Sequence, residues 1–125
     1  MKQKKPTITI GIPAFNEEAN IARLIRTVLR FKQTNFHLLE IIVACDGCTD
    51  KTVDILKKFH NPRVKIIHGK TRMGQQMRQN HIIKKFSGDI LVLIEADTLP
   101  ANPHGINELV KVILAKSDWN IGMAV

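Results

Sequence analysis

The sequence predicts an α/β fold: a doubly wound, mainly parallel sheet with helices on both faces. Two observations carry this. Apolar runs rich in Val, Ile and Leu alternate along the chain with segments of helical periodicity. Each run is also nearly continuous instead of alternating with polar residues, as strands buried on both faces are. At 125 residues the chain fits one domain, taken here as residues 7–125, with no repeat, low-complexity tract or linker to mark a second.

Thr7 to Ile12 reads as the first strand, and Pro13-Ala-Phe-Asn16 is expected to break it. A helix is expected at once, with Asn16 as its N-cap, Glu17 and Glu18 at the positive end of its dipole, and Ile21, Leu24, Ile25, Val28 and Leu29 at helical spacing to about Phe31. Leu39 to Ala44 forms a second strand, Asp46-Gly47 a tight turn, and Asp50 the cap of a helix through Ile55, Leu56 and Phe59 that Asn61-Pro62 stops. Val64 to His68 is a third strand, Met73 to Phe86 a third helix, and Asp89 to Ile94 a fourth strand, apolar after its first residue. Pro103 opens a fourth helix through Leu109, Val110, Val112, Ile113 and Leu114, and Trp119 to Val125 resembles the start of a fifth strand. An apolar ending of this kind suits the front part of something longer, or a sheet completed by a second copy.

A net charge of +8 and a pI near 9.8 favour anionic partners. Part of the excess sits in Lys2, Lys4 and Lys5 at the terminus, and no basic block with interleaved aromatics supports nucleic-acid binding. No run reaches the roughly 18 apolar residues of a membrane span, and the N-terminus lacks a signal-type apolar core, so a cytoplasmic location is expected. Cys45 and Cys48 form a C-x-x-C, but the five histidines show no matching metal spacing. Two reduced thiols in a loop are the expectation.

In a doubly wound sheet the loops after the strands carry the chemistry, which points to Pro13 to Glu17, Cys45 to Asp50 and Glu95 to Thr98. Glu95 and Asp97 stand two apart beyond a strand, so an extended chain projects both carboxylates to one side. Such a pair suits a divalent cation that keeps open positions for phosphate oxygens.

Four segments, taken together, resemble glycosyltransferase family 2. Ile12-Pro-Ala-Phe-Asn-Glu-Glu18 is similar to the family's opening motif, and Ile42-Val-Ala-Cys-Asp46-Gly-Cys-Thr-Asp50-Lys-Thr52 to its V-D-D-G-S-T-D-x-T segment. Gly74 with Asn80 is similar to its G-x-x-x-A-x-N segment, and Gly88-Asp-Ile-Leu-Val-Leu-Ile-Glu95-Ala-Asp97-Thr-Leu-Pro100 to its D-x-D region. The resemblance implies the Rossmann-like GT-A fold and a nucleotide-sugar donor, UDP-linked by expectation, bound with Mn²⁺ or Mg²⁺ in an inverting transfer to an acceptor hydroxyl. It implies that Pro13, Ala14, Phe15 and Glu17 surround the base and ribose, and that Gly74 lets backbone approach the donor. It further implies that Asp97 binds the cation, with Glu95 beside it. Asp46 is a further candidate, since its carboxylate can accept a hydrogen bond from a uracil imide. Lys70, Arg72 and Arg78 are available to neutralise the diphosphate, or are solvated charges; Asn80 is either structural or part of the site.

The chain departs from the family's pattern in places. Glu95 stands for the usual Asp, Cys45 and Cys48 for Asp and Ser, and Gln76 and Arg78 for small residues. The family's acceptor-binding half, with its catalytic base, is expected past the end of this sequence, so no residue here is assigned as catalytic. Two other functions fit the same residues: a nucleotide-binding or regulatory module without catalysis, and, less well, a nucleic-acid-binding domain.

Overall fold

The computed structural model describes residues 5–97, 107 and 123–124. Its elements run β1 (Thr7–Ala14), α1 (Ile21–Leu29), β2 (His37–Asp46), α2 (Thr52–Lys57), β3 (Val64–Gly69), α3 (Gln75–Lys85), β4 (Ile90–Leu93) and β5 (Met123–Ala124). The sheet has the order β3-β2-β1-β4-β5, and every pair in it is parallel. The fold is the α/β class that the alternation of apolar runs predicts. The expected fourth helix lies outside the described residues apart from Asn107, as does all of the expected fifth strand except Met123 and Ala124.

Side chains along each strand alternate between two cores. Ile8, Ile10 and Ile12 of β1, Ile41 and Val43 of β2, and Ile90 and Val92 of β4 face α1 and α2. Ile42, Ala44, Leu91 and Leu93 face the other way, against Ile82 of α3. A strand flanked by helices on both sides therefore has no polar face, which is why its sequence reads as continuous Val, Ile and Leu. On α1, Ile21, Leu24, Ile25 and Val28 are the buried residues, at the spacing that lines one helical stripe. Full burial of each such side chain contributes about 1.5–3 kcal/mol. Gly11 gives α3 its close approach, since a Cβ there would lie 2.8 Å from Ile82.

Around the end of β1, two sequence expectations change. β1 continues through Pro13 and Ala14, which lie beside Ala44 and Cys45 of β2. The pairing of β1 with β4 already ends at Gly11 and Leu93, and the Gly11 carbonyl turns to that side to accept the Ile94 N–H at 2.9 Å. Alternate residues in a strand direct their backbone groups the same way, so the N–H that Pro13 lacks falls where no β4 ladder needs it. Asn16 does not cap α1. Its φ is +49°, and the chain makes a turn in which the Glu17 carbonyl accepts the N–H of Asn20 and Ile21 before α1 starts.

A buried polar cluster sits under α3 at the opposite end of the sheet from the ends of β1 and β2. Glu40, 1% exposed, accepts the Thr9 hydroxyl at 2.7 Å, the Lys65 ammonium at 2.8 Å and the Ser87 N–H at 2.6 Å. Burial raises the Glu40 carboxyl pKa, but these hydrogen bonds outweigh it and hold it below the ordinary value.

Candidate functional site

The chain's path determines where a ligand fits. α1 and α2 carry it from β1 to β2 and on to β3 along one face; α3 then returns it over the opposite face to β4, on the far side of β1. Strand order reverses at β1, so the loops leaving β1 and β4 part from each other. That is the place where open α/β sheets bind ligands. An open cleft of about 290 Å³ lies there.

Pro13, Ala14, Phe15 and Glu17 line it from the end of β1, Asp46 from the end of β2, and Glu95 and Asp97 from beyond β4. Of the predicted site residues, Gly74 does not line it, and neither do Lys70, Arg78 or Asn80, which the sequence leaves open between site and structure. The Gly74 φ of +98° needs glycine, and its N–H donates to Asp46 at 3.0 Å, so it acts through Asp46. Among the described residues, Arg72, Gln75 and Ala96 complete the lining. Gln75 carried no sequence signal: it becomes part of the wall because α3 begins there.

The first two loops are stitched together. Asn16 Oδ1 accepts the N–H of Thr49 at 2.8 Å and of Asp50 at 3.2 Å, while its Nδ2 donates to the Thr49 hydroxyl at 3.1 Å. The Glu17 N–H donates to buried Thr52 at 2.9 Å and the Glu18 N–H to Asp50 at 3.1 Å. Asp50 also accepts the Thr52 N–H at 2.9 Å, but it is not the cap of α2 that the sequence predicts: Lys51 holds that position, and Asp50, one residue earlier, ties the loop to the first turn. Burial raises the Asp50 pKa, but its bonds from Thr52 and Glu18 outweigh this and hold it low.

Asp46 is 4% exposed, and its oxygens are largely committed. Oδ1 accepts the Met73 N–H at 2.6 Å and Arg78 Nε at 2.9 Å; Oδ2 accepts the Gly74 N–H, with Arg72 Nε at 3.9 Å. Burial raises its pKa, but the Met73 N–H, the Arg78 guanidinium and the Gly74 N–H outweigh this and keep it ionised below the ordinary range. Arg78 is therefore neither a solvated charge nor a cation facing the cleft: it lies buried behind Asp46. Gly47, at φ +63°, makes room for the crossing segment, since a Cβ there would lie 2.6 Å from the Arg72 nitrogen.

Glu95 and Asp97 are exposed, while Ala96 between them is buried. Among the described residues neither carboxylate lies within ion-pair distance of a cation, and no group of three metal-ligating side chains forms. Two hard oxygen donors with open positions are what Mg²⁺ or Mn²⁺ takes when substrate phosphates supply other ligands, so the donor set fits such an ion. The cysteines stay apart from this chemistry. Cys45 is buried, and burial together with neighbouring Cys48 pushes its thiol up to about 12. Cys48 donates to the Ala14 carbonyl at 3.5 Å. Among the described residues no helix is long and apolar enough to cross a membrane.

Comparison with known proteins gives the same outline. The family described as glycosyl transferase family 2 matches residues 9–123. An N-acetylglucosaminyltransferase of Bradyrhizobium elkanii is 25% identical over 126 residues, covering 96% of this chain and 65% of its own length. Of two other curated relatives the chain spans only 38% and 17%. Among solved structures, a mannosyltransferase of Pyrobaculum calidifontis in complex with GDP-Man and Mn²⁺ superimposes with a TM-score of 0.77 at 21% identity, over 91% of this chain and 34% of that one. S. aureus TarS 1-349 in complex with UDP gives 0.73 at 23% identity, over 87% and 32%.

Proposed function

The chain belongs to glycosyltransferase family 2, and from that premise we propose that its cleft binds the nucleoside diphosphate part of a sugar donor, a UDP-sugar, with Mn²⁺ or Mg²⁺. The observation that carries this is the meeting, in one cleft at the strand-order reversal, of an aromatic and cationic wall from Phe15 and Arg72 with the open carboxylates of Glu95 and Asp97. Phe15 and Arg72 offer a flat, cationic surface for a base, and Pro13, Ala14 and Glu17 surround the ribose. Asp97, with Glu95 beside it, holds the cation. When bound, that ion supplies Lewis-acid support for the diphosphate as negative charge grows on it. Arg72 adds positive charge on the same side.

The parent activity in this reading is inverting transfer of the sugar to an acceptor hydroxyl. Two neighbours in fold support the donor class: one was solved with UDP and another with GDP-Man and Mn²⁺. Thermal unfolding with UDP, GDP and ADP, each with and without Mn²⁺, tests the reading. UDP with Mn²⁺ should raise the midpoint, because binding to the folded state at tens of times the dissociation constant adds about 2 kcal/mol. Equal midpoints under all conditions would contradict it.

A further inference from the structure

Arg78 sits on the inner side of α3 and is 3% exposed, an unusual place for a guanidinium. Its seat is Gly69, the last residue of β3, where a Cβ would fall 2.2 Å from the guanidinium carbon. From that seat Nε donates to Asp46 Oδ1 at 2.9 Å, Nη2 donates to the Thr71 carbonyl, and Nη1 meets His81 Nδ1 at 3.3 Å. Asp46 in turn accepts the N–H groups of Met73 and Gly74. The ion pair thus grips the backbone between β3 and α3 at three residues, 71, 73 and 74. The residue between the first and second grips is Arg72, whose guanidinium lies over Phe15 in the cleft. Arg78 does not itself line the cleft; of the residues that do, it is hydrogen-bonded to Asp46, from behind.

We propose that Arg78, seated on Gly69, is a positioning residue of the nucleotide cleft: it fixes the 71–74 segment and turns Asp46 inward, so that the wall meeting the base is Arg72 on Phe15. The proposal rests on the nucleotide reading above for its consequence, but not for its mechanics. It changes the role expected of Asp46 from the sequence. Oδ1 already accepts two hydrogen bonds and Oδ2 one, so at this wall the base meets the donors of Arg72 and at most the remaining acceptor capacity of Oδ2. Lysine at 78 could reach one partner but not several, because an ammonium lacks the planar fork.

Amide hydrogen exchange followed by NMR on the chain without ligand tests the mechanics. The Met73 and Gly74 amides should exchange as slowly as amides of β2, although they lie outside any helix or strand. Arg78→Met and Gly69→Ala should each speed their exchange by tenfold or more, with amides of β1 unchanged; Gly69→Ala does so with the guanidinium still present but displaced. Calorimetry with UDP and Mn²⁺, at a temperature where each variant is folded, tests the consequence. Affinity should fall by about tenfold or more in both variants. Their combination should cost little beyond either alone, because both break one contact. Arg78→Lys should recover part of the affinity.

Fast exchange of Met73 and Gly74 in the parent chain would overturn the proposal whatever the nucleotide result. So would folded variants that bind UDP as tightly as the parent, which a purely structural role for Arg78 predicts. A parent chain with protected amides and no nucleotide binding would contradict the nucleotide reading and, with it, the part of the proposal that concerns the base.

Discussion

The Arg72 guanidinium lies 3.7 Å from the centroid of the Phe15 ring, which joins the segment before α3 to the loop after β1 across the cleft wall. Arg72 remains 64% exposed at its side chain, so the stack leaves its donors open to a ligand. A cation over an aromatic face at such a site contributes about 0.5–1 kcal/mol. Arg72→Ala should therefore shift the thermal midpoint little while weakening UDP binding by roughly tenfold, the scale of one charge-assisted contact. Arg72→Lys should keep less than half of that loss from occurring, since an ammonium cannot stack and donate as a plane. Calorimetric titration of the two variants, with midpoints measured alongside, checks the separation.

Asn16 holds the first two loops together through both ends of its amide, at a left-handed φ that asparagine tolerates better than most residues. Asn16→Ala should destabilise by about 1–3 kcal/mol, because Thr49 and Asp50 lose an acceptor and alanine is strained at this φ. Asn16→Gly relieves the backbone and should cost less stability, yet weaken nucleotide binding as much as Asn16→Ala. Denaturant unfolding and UDP titration of the pair measure both effects. Equal affinity in both variants and the parent would show that the two loops keep their places without the clamp.

Much of this arrangement was legible in the sequence. The parallel sheet followed from unbroken apolar runs, and the cleft from the rule that ligands lie beyond strand ends; Phe15, Glu17, Glu95 and Asp97 line it as residues beyond strand ends should. What periodicity does not carry is contact between distant segments. Asn16 has the composition of an N-cap, and only the proximity of Thr49 and Asp50 makes it a bridge. Arg78 looks like one more basic residue on a polar helix until Gly69, nine positions earlier in the chain, is seen to leave room for it. Pro13 reads as a strand breaker because the sequence does not reveal on which side the ladder has ended.

Acid should destabilise the fold in a defined window. The pKa values of Glu40, Asp46 and Asp50 are all lower in the folded chain than the ordinary values of 4.5 and 3.8. A carboxyl with a depressed folded pKa contributes stability that is present above its unfolded value and lost as pH falls through the folded one. Unfolding free energy should thus hold steady from about pH 7 to 5 with respect to these groups and fall below about pH 4.5. Glu40→Gln should flatten part of that fall and cost about 1–3 kcal/mol at neutral pH, since Lys65, Thr9 and Ser87 lose a charged acceptor. Because Glu40 lies at the far end of the sheet, UDP affinity should not change. Urea titrations at several pH values follow the first effect and calorimetry the second.

Asp97→Asn, titrated with UDP in the presence and absence of Mn²⁺, tests the central claim most directly. The substitution keeps size and one acceptor oxygen but removes the charge that a divalent cation requires, at an exposed position where stability should change by less than about 0.5 kcal/mol. The parent chain should bind UDP more tightly with Mn²⁺ than without it. In Asp97→Asn that metal-dependent gain should shrink by about tenfold or more, while metal-independent binding persists, with Glu95→Gln giving a smaller loss. An Asp97→Asn chain that binds UDP with Mn²⁺ as tightly as its parent would contradict the assignment of the cation to this carboxylate.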